Sequence, residues 1–316
     1  MVQAHLTGSF PRSEQLIEAT RAAARAKISP SVAEEAFRND LEGLFQLQMQ
    51  AGLDFLVDGQ LNWQDLFRPF SELFAGVQLG SLERWFDNNT FYRRPVVVDK
   101  IRFKGTTLDR YFRYTFLPFN YPRKAILPGP CTFAAMSQNK AYQSTADLVD
   151  DIAHSLSEII TQLRRSRYQY FQFNEPYLSI GEATGDKLDM LKHALETCAK
   201  GIGEKTALQF YFGDASIFLD TILDCPIDCV GLDLYATSVD SLIEHDFTKE
   251  LGCGCIDGRN SLLESSEDLK KLVDRIEADV EPKSIFLCPN CDLDFLPQTI
   301  AEKKVRILSE AKNKIG

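Results

Sequence analysis

The residues best suited to chemistry stand where apolar runs stop. In Tyr170-Phe171-Gln172-Phe173-Asn174-Glu175-Pro176-Tyr177, a run of strand formers ends in a carboxylate followed by proline. Proline cannot donate to a neighbouring strand, so the ladder closes there and leaves Glu175 at its edge. A carboxylate fixed in this way is what a positioned general base or an amine anchor requires. Similar stops gather Ser9, Arg12, Asp58, Asn174, Asp214, Asp233, Asp257, Arg259 and Asn260. So many carboxylates beside only two arginines suit a cationic group, a metal ion or the amino end of an amino acid. Asp214 and Asn260 each precede a helical pattern and equally suit helix capping.

Cys253-Gly254-Cys255 and Cys288-Pro289-Asn290-Cys291 could bring four sulfurs together from adjacent strands, the kind of set that structural zinc prefers. The same C-x-C spacing places both thiols on one strand face, where cysteine is an ordinary small core residue. Cys291, beyond its strand end, is the better candidate for a reactive thiol and joins Glu175 and Asp58 as the expected catalytic groups. Cys225 and Cys229 flank a turn and read as structural. His5, His154, His193 and His245 show no ligand spacing, although His5 would join the strand-end groups if its strand points it inward.

Positioning these groups falls to a repeated strand and helix unit. Strands are expected at residues 3–6, 55–57, 125–127, 170–173, 207–212, 229–234, 252–256 and 284–287, each ending on polar residues or a turn. Helices are expected at 14–27 and 31–50, and again where Leu148, Ile152, Leu156, Ile160 and Leu163 make one stripe behind a Ser144-Thr145 cap. Others follow near 218–222, 242–243, 269–276 and 300–312. Eight such units predict an α/β fold, a single (β/α)8 TIM barrel whose chemistry sits at the strand tips. Residues from about 61 to 123 break the pattern with many aromatics and with alternation at Arg110-Tyr111-Phe112-Arg113-Tyr114. They predict an insertion after strand 2 with a small antiparallel excursion, covering the barrel mouth. No linker divides the chain, so residues 1–316 are expected to form one domain.

A net charge of −10 disfavours nucleic acid or an anionic membrane as partner, since both demand a basic face. No stretch approaches the roughly 20 apolar residues of a membrane span. The start, Met1-Val2-Gln3-Ala4-His5-Leu6, lacks the plan of a signal peptide, so a cytoplasmic protein is expected. Eight cysteines are too dilute for a disulfide scaffold and are expected to be thiols or ligands.

Several segments together resemble the cobalamin-independent methionine synthase family, most closely its amino-terminal half. They are Gly8-Ser9-Phe10-Pro11-Arg12, Arg84-Trp85-Phe86-Asp87-Asn88-Asn89 with Tyr92, Leu127-Pro128-Gly129-Pro130-Cys131-Thr132-Phe133, Asn174-Glu175-Pro176, Tyr211-Phe212-Gly213-Asp214, Gly231-Leu232-Asp233-Leu234, Ile256-Asp257-Gly258-Arg259-Asn260 and Pro289-Asn290-Cys291-Asp292-Leu293. The resemblance implies methyl transfer from a methyltetrahydrofolate to the thiol of homocysteine. It also implies two similar barrels in long members, the carboxy-terminal one holding zinc through a His-x-Cys pair, a glutamate and a late cysteine. In this chain the matching positions are Gln209, Tyr211, Asp233 and Cys291, so only the last keeps a ligand type. Zinc is therefore not expected here, and a separate zinc-bearing chain is the expected partner. Arg12 and Arg84 match basic positions for an anionic cosubstrate, while Ser13-Glu14-Gln15 stands where the family has further lysines. Asp58-Gly59-Gln60 is closer to the short, single-barrel members. Two alternatives stay open: a binding or assembly module without a catalytic step, and an independent enzyme with a metal at the four cysteines.

Overall fold

The computed structural model describes residues 2–315. Along the chain the strands are β1 (Val2–Ala4), β2 (Phe74–Arg84), β3 (Phe91–Phe103), β4 (Arg123–Pro128), β5 (Gln138–Asn139), β6 (Tyr168–Asn174), β7 (Lys205–Gln209), β8 (Cys229–Asp233), β9 (Glu250–Ile256) and β10 (Ile285–Pro289). The α-helices are α1 (Glu14–Ala24), α2 (Pro30–Gln50), α3 (Arg68–Leu73), α4 (Asp109–Phe112), α5 (Pro130–Ala135), α6 (Thr145–Arg165), α7 (Gly185–Ala199), α8 (Leu219–Leu223), α9 (Val239–Ile243), α10 (Ser266–Asp279) and α11 (Gln298–Ile315).

Seven strands form one parallel sheet in the order β1-β10-β9-β8-β7-β6-β4. The expected strand at 55–57 does not form a ladder: Leu56 makes a single parallel bridge to Arg123. Side chains have taken over the backbone groups that a ladder would use. The Gln48 amide accepts from Val57 N–H at 3.0 Å and donates to Val57 O at 2.9 Å, and Asp54 Oδ2 accepts from Ala4 N–H at 2.7 Å. The segment still joins the two sheet edges, because Asp54 N–H donates to Ala4 O and Lys124 N–H donates to Leu56 O. The sheet curls accordingly, and its strand tips share one end.

Helices cover the outside. The stripe Leu148, Ile152, Leu156, Ile160 and Leu163 on α6 is wholly buried, and Ser144 caps that helix by accepting from Asp147 N–H. Inside the sheet, Tyr170, Phe286, Phe55 and His5 pack ring on ring at 5.0 to 6.4 Å. His5 points inward, yet its Nδ1 lies 2.9 Å from Lys124 Nζ at the start of β4, so it sits away from the strand tips. Burial and the neighbouring Lys124 push the His5 pKa well down.

Within residues 61–123 the hairpin β2-β3 pairs antiparallel, and β5 adds alongside β3 in parallel. The alternating stretch at 110–114 is not a strand. Tyr111 and Phe112 lie in the short helix α4, which Arg113 ends with a left-handed φ of 47°. Both rings are buried there, so the alternation reflects one turn facing the core rather than a pleat.

Candidate functional site

Ser9 ties together the loops that follow β1 and β10 and the turn at 58–60. Its N–H donates to Asp292 Oδ1 at 2.7 Å, its carbonyl accepts from Leu293 N–H and Asp294 N–H, and its hydroxyl donates to Gln60 Oε1 at 2.7 Å. Thr7 reinforces the join by donating to Pro289 O and Cys291 O. Gly8 makes the approach feasible, since a Cβ there would lie 1.7 Å from Asp292 Oδ1.

A cavity of about 540 Å³ opens beside this clasp, lined by Ser9, Arg12, Glu14, Gln60, Gln64, Asp294, Gln298 and Thr299 with the apolar Phe10, Ile17 and Leu296. A smaller recess of about 50 Å³ shares Ser9, Gln64 and Asp294 and adds Asp65, Asp292, Trp85 and Tyr92. Burial raises the pKa values of both Asp292 and Asp294; repulsion by Asp294 adds to the rise at Asp292, and Arg12 partly offsets it at Asp294. Gln60 and Gln64 both have left-handed backbones, with φ of 51° and 71°. Strain of this kind collects at functional sites.

The hairpin reaches the same region. Phe86, with φ of 50°, packs on Phe212, with φ of 74°, at 5.8 Å; Phe212 also meets Phe295 at 6.0 Å and lies 5.2 Å below the Arg259 guanidinium.

The expected catalytic groups lie elsewhere. Glu175 is fully buried and caps α5: Oε1 accepts from Cys131 N–H at 2.8 Å, and Oε2 accepts from Thr132 N–H at 2.7 Å and from the Thr132 hydroxyl at 2.6 Å. Three protein donors hold it and it lines neither recess, which sets it apart from the cavity as a base or amine anchor. Burial outweighs these donors and raises its pKa to about 7. Asp58 does not line the cavity: Oδ1 accepts from Gln60 N–H, Oδ2 is buried without a partner, and desolvation raises the pKa to about 7. Cys291 is 1% exposed, with its Sγ turned toward Asp292 O, and burial pushes its pKa well up, so the thiolate needed for reactivity is disfavoured.

Of the expected binding residues, Ser9 and Arg12 line the cavity, whereas Arg84 is exposed at the end of β2 and lines neither recess. Asp214 and Asn260 stabilise turns by accepting from Ser216 N–H and Leu262 N–H, and Asp257 does the same for Arg259 N–H. Asn174 is buried, its Oδ1 accepting from Gln172 Nε2.

The positions that would match a zinc set do not fit a metal. Gln209 donates its amide to Phe210 O and Asn290 O. Asp233 accepts from Tyr235 N–H and Asn290 Nδ2 on one oxygen and from Phe212 N–H on the other. Burial drives the Tyr211 phenol well above its ordinary pKa and away from the ionised form. Among the described residues no three His, Cys, Asp or Glu side chains gather in a way that could hold an ion, so the set Cys253, Cys255, Cys288 and Cys291 does not form either. Cys253, Cys255 and Cys288 are instead buried core residues on neighbouring strands.

Sequence reasoning missed Asp292, Asp294 and Gln64 as lining groups. Asp292 appears there only as part of a segment. A signal was present in two carboxylates separated by one residue beyond a strand end, but nothing local said that they meet Ser9.

Three comparisons bear on this site. Residues 75–281 match the family model described as the amino-terminal domain of cobalamin-independent synthase. The chain is similar to a methionine synthase of Saccharolobus solfataricus, with 27% identity over 303 residues covering 94% of this chain and 90% of the relative. A methionine synthase of Sulfurisphaera tokodaii is 28% identical over 306 residues, covering 94% and 88%. The fold is similar to that of a B12-independent methionine synthase from a Shewanella species solved with selenomethionine, with a TM-score of 0.82, 20% identity and coverage of 100% and 97%. No described helix is long and apolar enough to cross a membrane.

Proposed function

The chain belongs to the cobalamin-independent methionine synthase family, and on that premise we propose that it serves methyl transfer to the homocysteine thiol in methionine formation. The observation that carries this reading is the Ser9 clasp, which builds a polar cavity of about 540 Å³ at the strand tips. That size lies within the range of roughly 300–1,000 Å³ usual for small-molecule sites. The Shewanella relative holds selenomethionine, an amino acid with the ammonium, carboxylate and chalcogen of the expected product. In this reading the donor is a methyltetrahydrofolate, Arg12 meets an anionic group in the cavity, and Arg84 on the hairpin meets the donor's anionic tail.

Thiol activation by zinc is assigned to a separate chain. The positions that would hold zinc here carry an amide and a carboxylate committed to protein partners, and a phenol that burial keeps in its protonated form. What this chain supplies is binding and orientation, which can account for much of a methyl transfer barrier when two reactants must meet. The architecture that goes with this is a one-domain (β/α)8 barrel whose eighth strand is the loosely paired segment at 54–57. The hairpin covers its mouth through Phe86, and the cytoplasm is the matching compartment.

A second reading, a cosubstrate-binding module without a catalytic step, draws on the same filled zinc positions. The test is methionine formation from homocysteine with this chain alone, with a zinc-bearing barrel, and with that barrel alone. Calorimetric titration of methyltetrahydrofolate then separates the two readings: heat without a rate effect selects the module.

A further inference from the structure

We propose that the starts of β7, β9 and β10 form a second ligand site, which takes a small aliphatic dicarboxylate between Lys249 and Lys283. The site lies at the opposite end of the parallel strands from the Ser9 clasp and does not rest on the reading of that cavity.

A cavity of about 370 Å³ opens where these strands begin, and three lysines and three carboxylates line it. Most of these charges are already matched. Glu250 pairs with Lys205, Glu204 pairs with Arg164 from outside the cavity, and Asp228 Oδ2 accepts from the Thr206 N–H and hydroxyl at 2.8 and 3.0 Å. Lys249 and Lys283 differ: among the described residues neither forms an ion pair, and the one carboxylate left beside them is Asp228. The backbone holds the two together, because Lys283 N–H donates to Lys249 O at 3.0 Å, and Lys249 Nζ is steadied by Ile227 O at 2.7 Å. Burial and the neighbouring Lys283 lower the Lys249 pKa, against the opposing pull of Cys225, Asp228 and Asp224. Like charges held side by side in a half-dry recess repel, and an anion between them relieves the repulsion.

The chemistry of that anion follows from the rest of the wall. A phosphate group is usually cradled by converging backbone N–H groups. Here the N–H of Gly203 is already given to Glu204 Oε2 at 3.2 Å. Lysine offers a point charge rather than a fork, so two lysines that enter from separate segments suit two separate carboxylates. Ile202 and Ile227 supply an apolar stretch of wall for the short chain between them. The volume lies at the lower end of the roughly 300–1,000 Å³ usual for small-molecule sites, which fits a ligand of this size.

The test is isothermal titration calorimetry on the full chain at low ionic strength, where contacts between partly exposed charges are least screened. The ligands are glutarate, butyrate and inorganic phosphate, and the proteins are the wild type, Lys249→Gln and Lys283→Gln. Butyrate keeps the aliphatic chain and removes one carboxylate. The expected result is that the wild type binds glutarate at least about fivefold more tightly than butyrate or phosphate, and that each variant loses at least about fivefold in glutarate affinity, the size expected of one partly exposed ion pair. No heat with glutarate, a smaller preference over butyrate, or unchanged glutarate binding by both variants overturns the site. Phosphate binding as tightly as glutarate overturns its assignment to a dicarboxylate. Thermal melts establish that the variants fold; Lys283, which is exposed, decides alone if Lys249→Gln does not fold.

Discussion

Ser9 N–H and Asp292 Oδ1, far apart in the chain, meet at 2.7 Å and close the two loops that bracket the cavity. Their contact depends on the missing side chain of Gly8. Gly8→Ala would place a methyl 1.7 Å from that oxygen and push the carboxylate out of its seat. The expected outcome is a stability loss of about 1–3 kcal/mol, typical of overpacking, with methionine affinity falling by about tenfold or more. Urea denaturation and calorimetry on the same sample check both numbers.

Glu175 invites a different expectation from the one its strand-end position suggests. It satisfies two backbone N–H groups and one hydroxyl at the start of α5, and Gly129 has no room for a Cβ, which would lie 2.1 Å from the Glu175 Cδ. Glu175→Gln replaces one acceptor with a donor facing a donor and is expected to cost roughly 1–3 kcal/mol. Methionine affinity of the folded fraction should stay within about twofold. A hundredfold loss of affinity or activity with unchanged stability would return Glu175 to the chemistry.

Asp58 sets a pH dependence. Desolvation raises its folded pKa to about 7 against an ordinary 3.8, with Arg113 lowering it only slightly. The folded state therefore binds the proton more tightly than the unfolded chain. Its contribution to stability is full below about pH 4 and is lost as pH rises through 7. Asp58→Asn keeps an oxygen for Gln60 N–H and removes the titration. Relative to the wild type, the variant should gain about 2 kcal/mol between pH 5 and pH 8, after allowance for solvent screening. Parallel urea titrations at the two pH values measure that difference; an unchanged difference would show that Asp58 is already ionised when folded.

Metal content gives a further expectation. The purified chain should carry less than about a tenth of an equivalent of zinc, and a chelator should leave its melting temperature unchanged, because closed thiolate sites bind zinc tightly enough to survive purification. Elemental analysis and a melt with and without EDTA suffice. Cys291→Ala should likewise leave methionine affinity within about twofold, since its thiol is buried and protonated.

How much of this was legible in the sequence depended on whether the signal was local. Periodicity placed the α6 stripe and seven of the strands because burial of one face writes itself into spacing. It failed at 55–57, where the side chain of Gln48 on the preceding helix substitutes for a strand, and at 110–114, where a single turn of helix mimics alternation. Site residues followed the same rule. Ser9 and Arg12 lie at the cavity as expected, but Asp292 and Asp294 gain their meaning only from the return of the chain to Ser9. Strand-end carboxylates such as Asp214 and Asp257 went into turns because a short side chain accepts most readily from its own backbone. Family resemblance added what spacing could not, namely which positions to compare with a zinc set.

The most direct measurement of the central claim is the rate of methionine formation with a zinc-bearing barrel in the presence and absence of this chain. The account predicts no turnover by this chain alone and a clear increase when it is added, an increase that Gly8→Ala abolishes. Equal rates with and without the chain would contradict it.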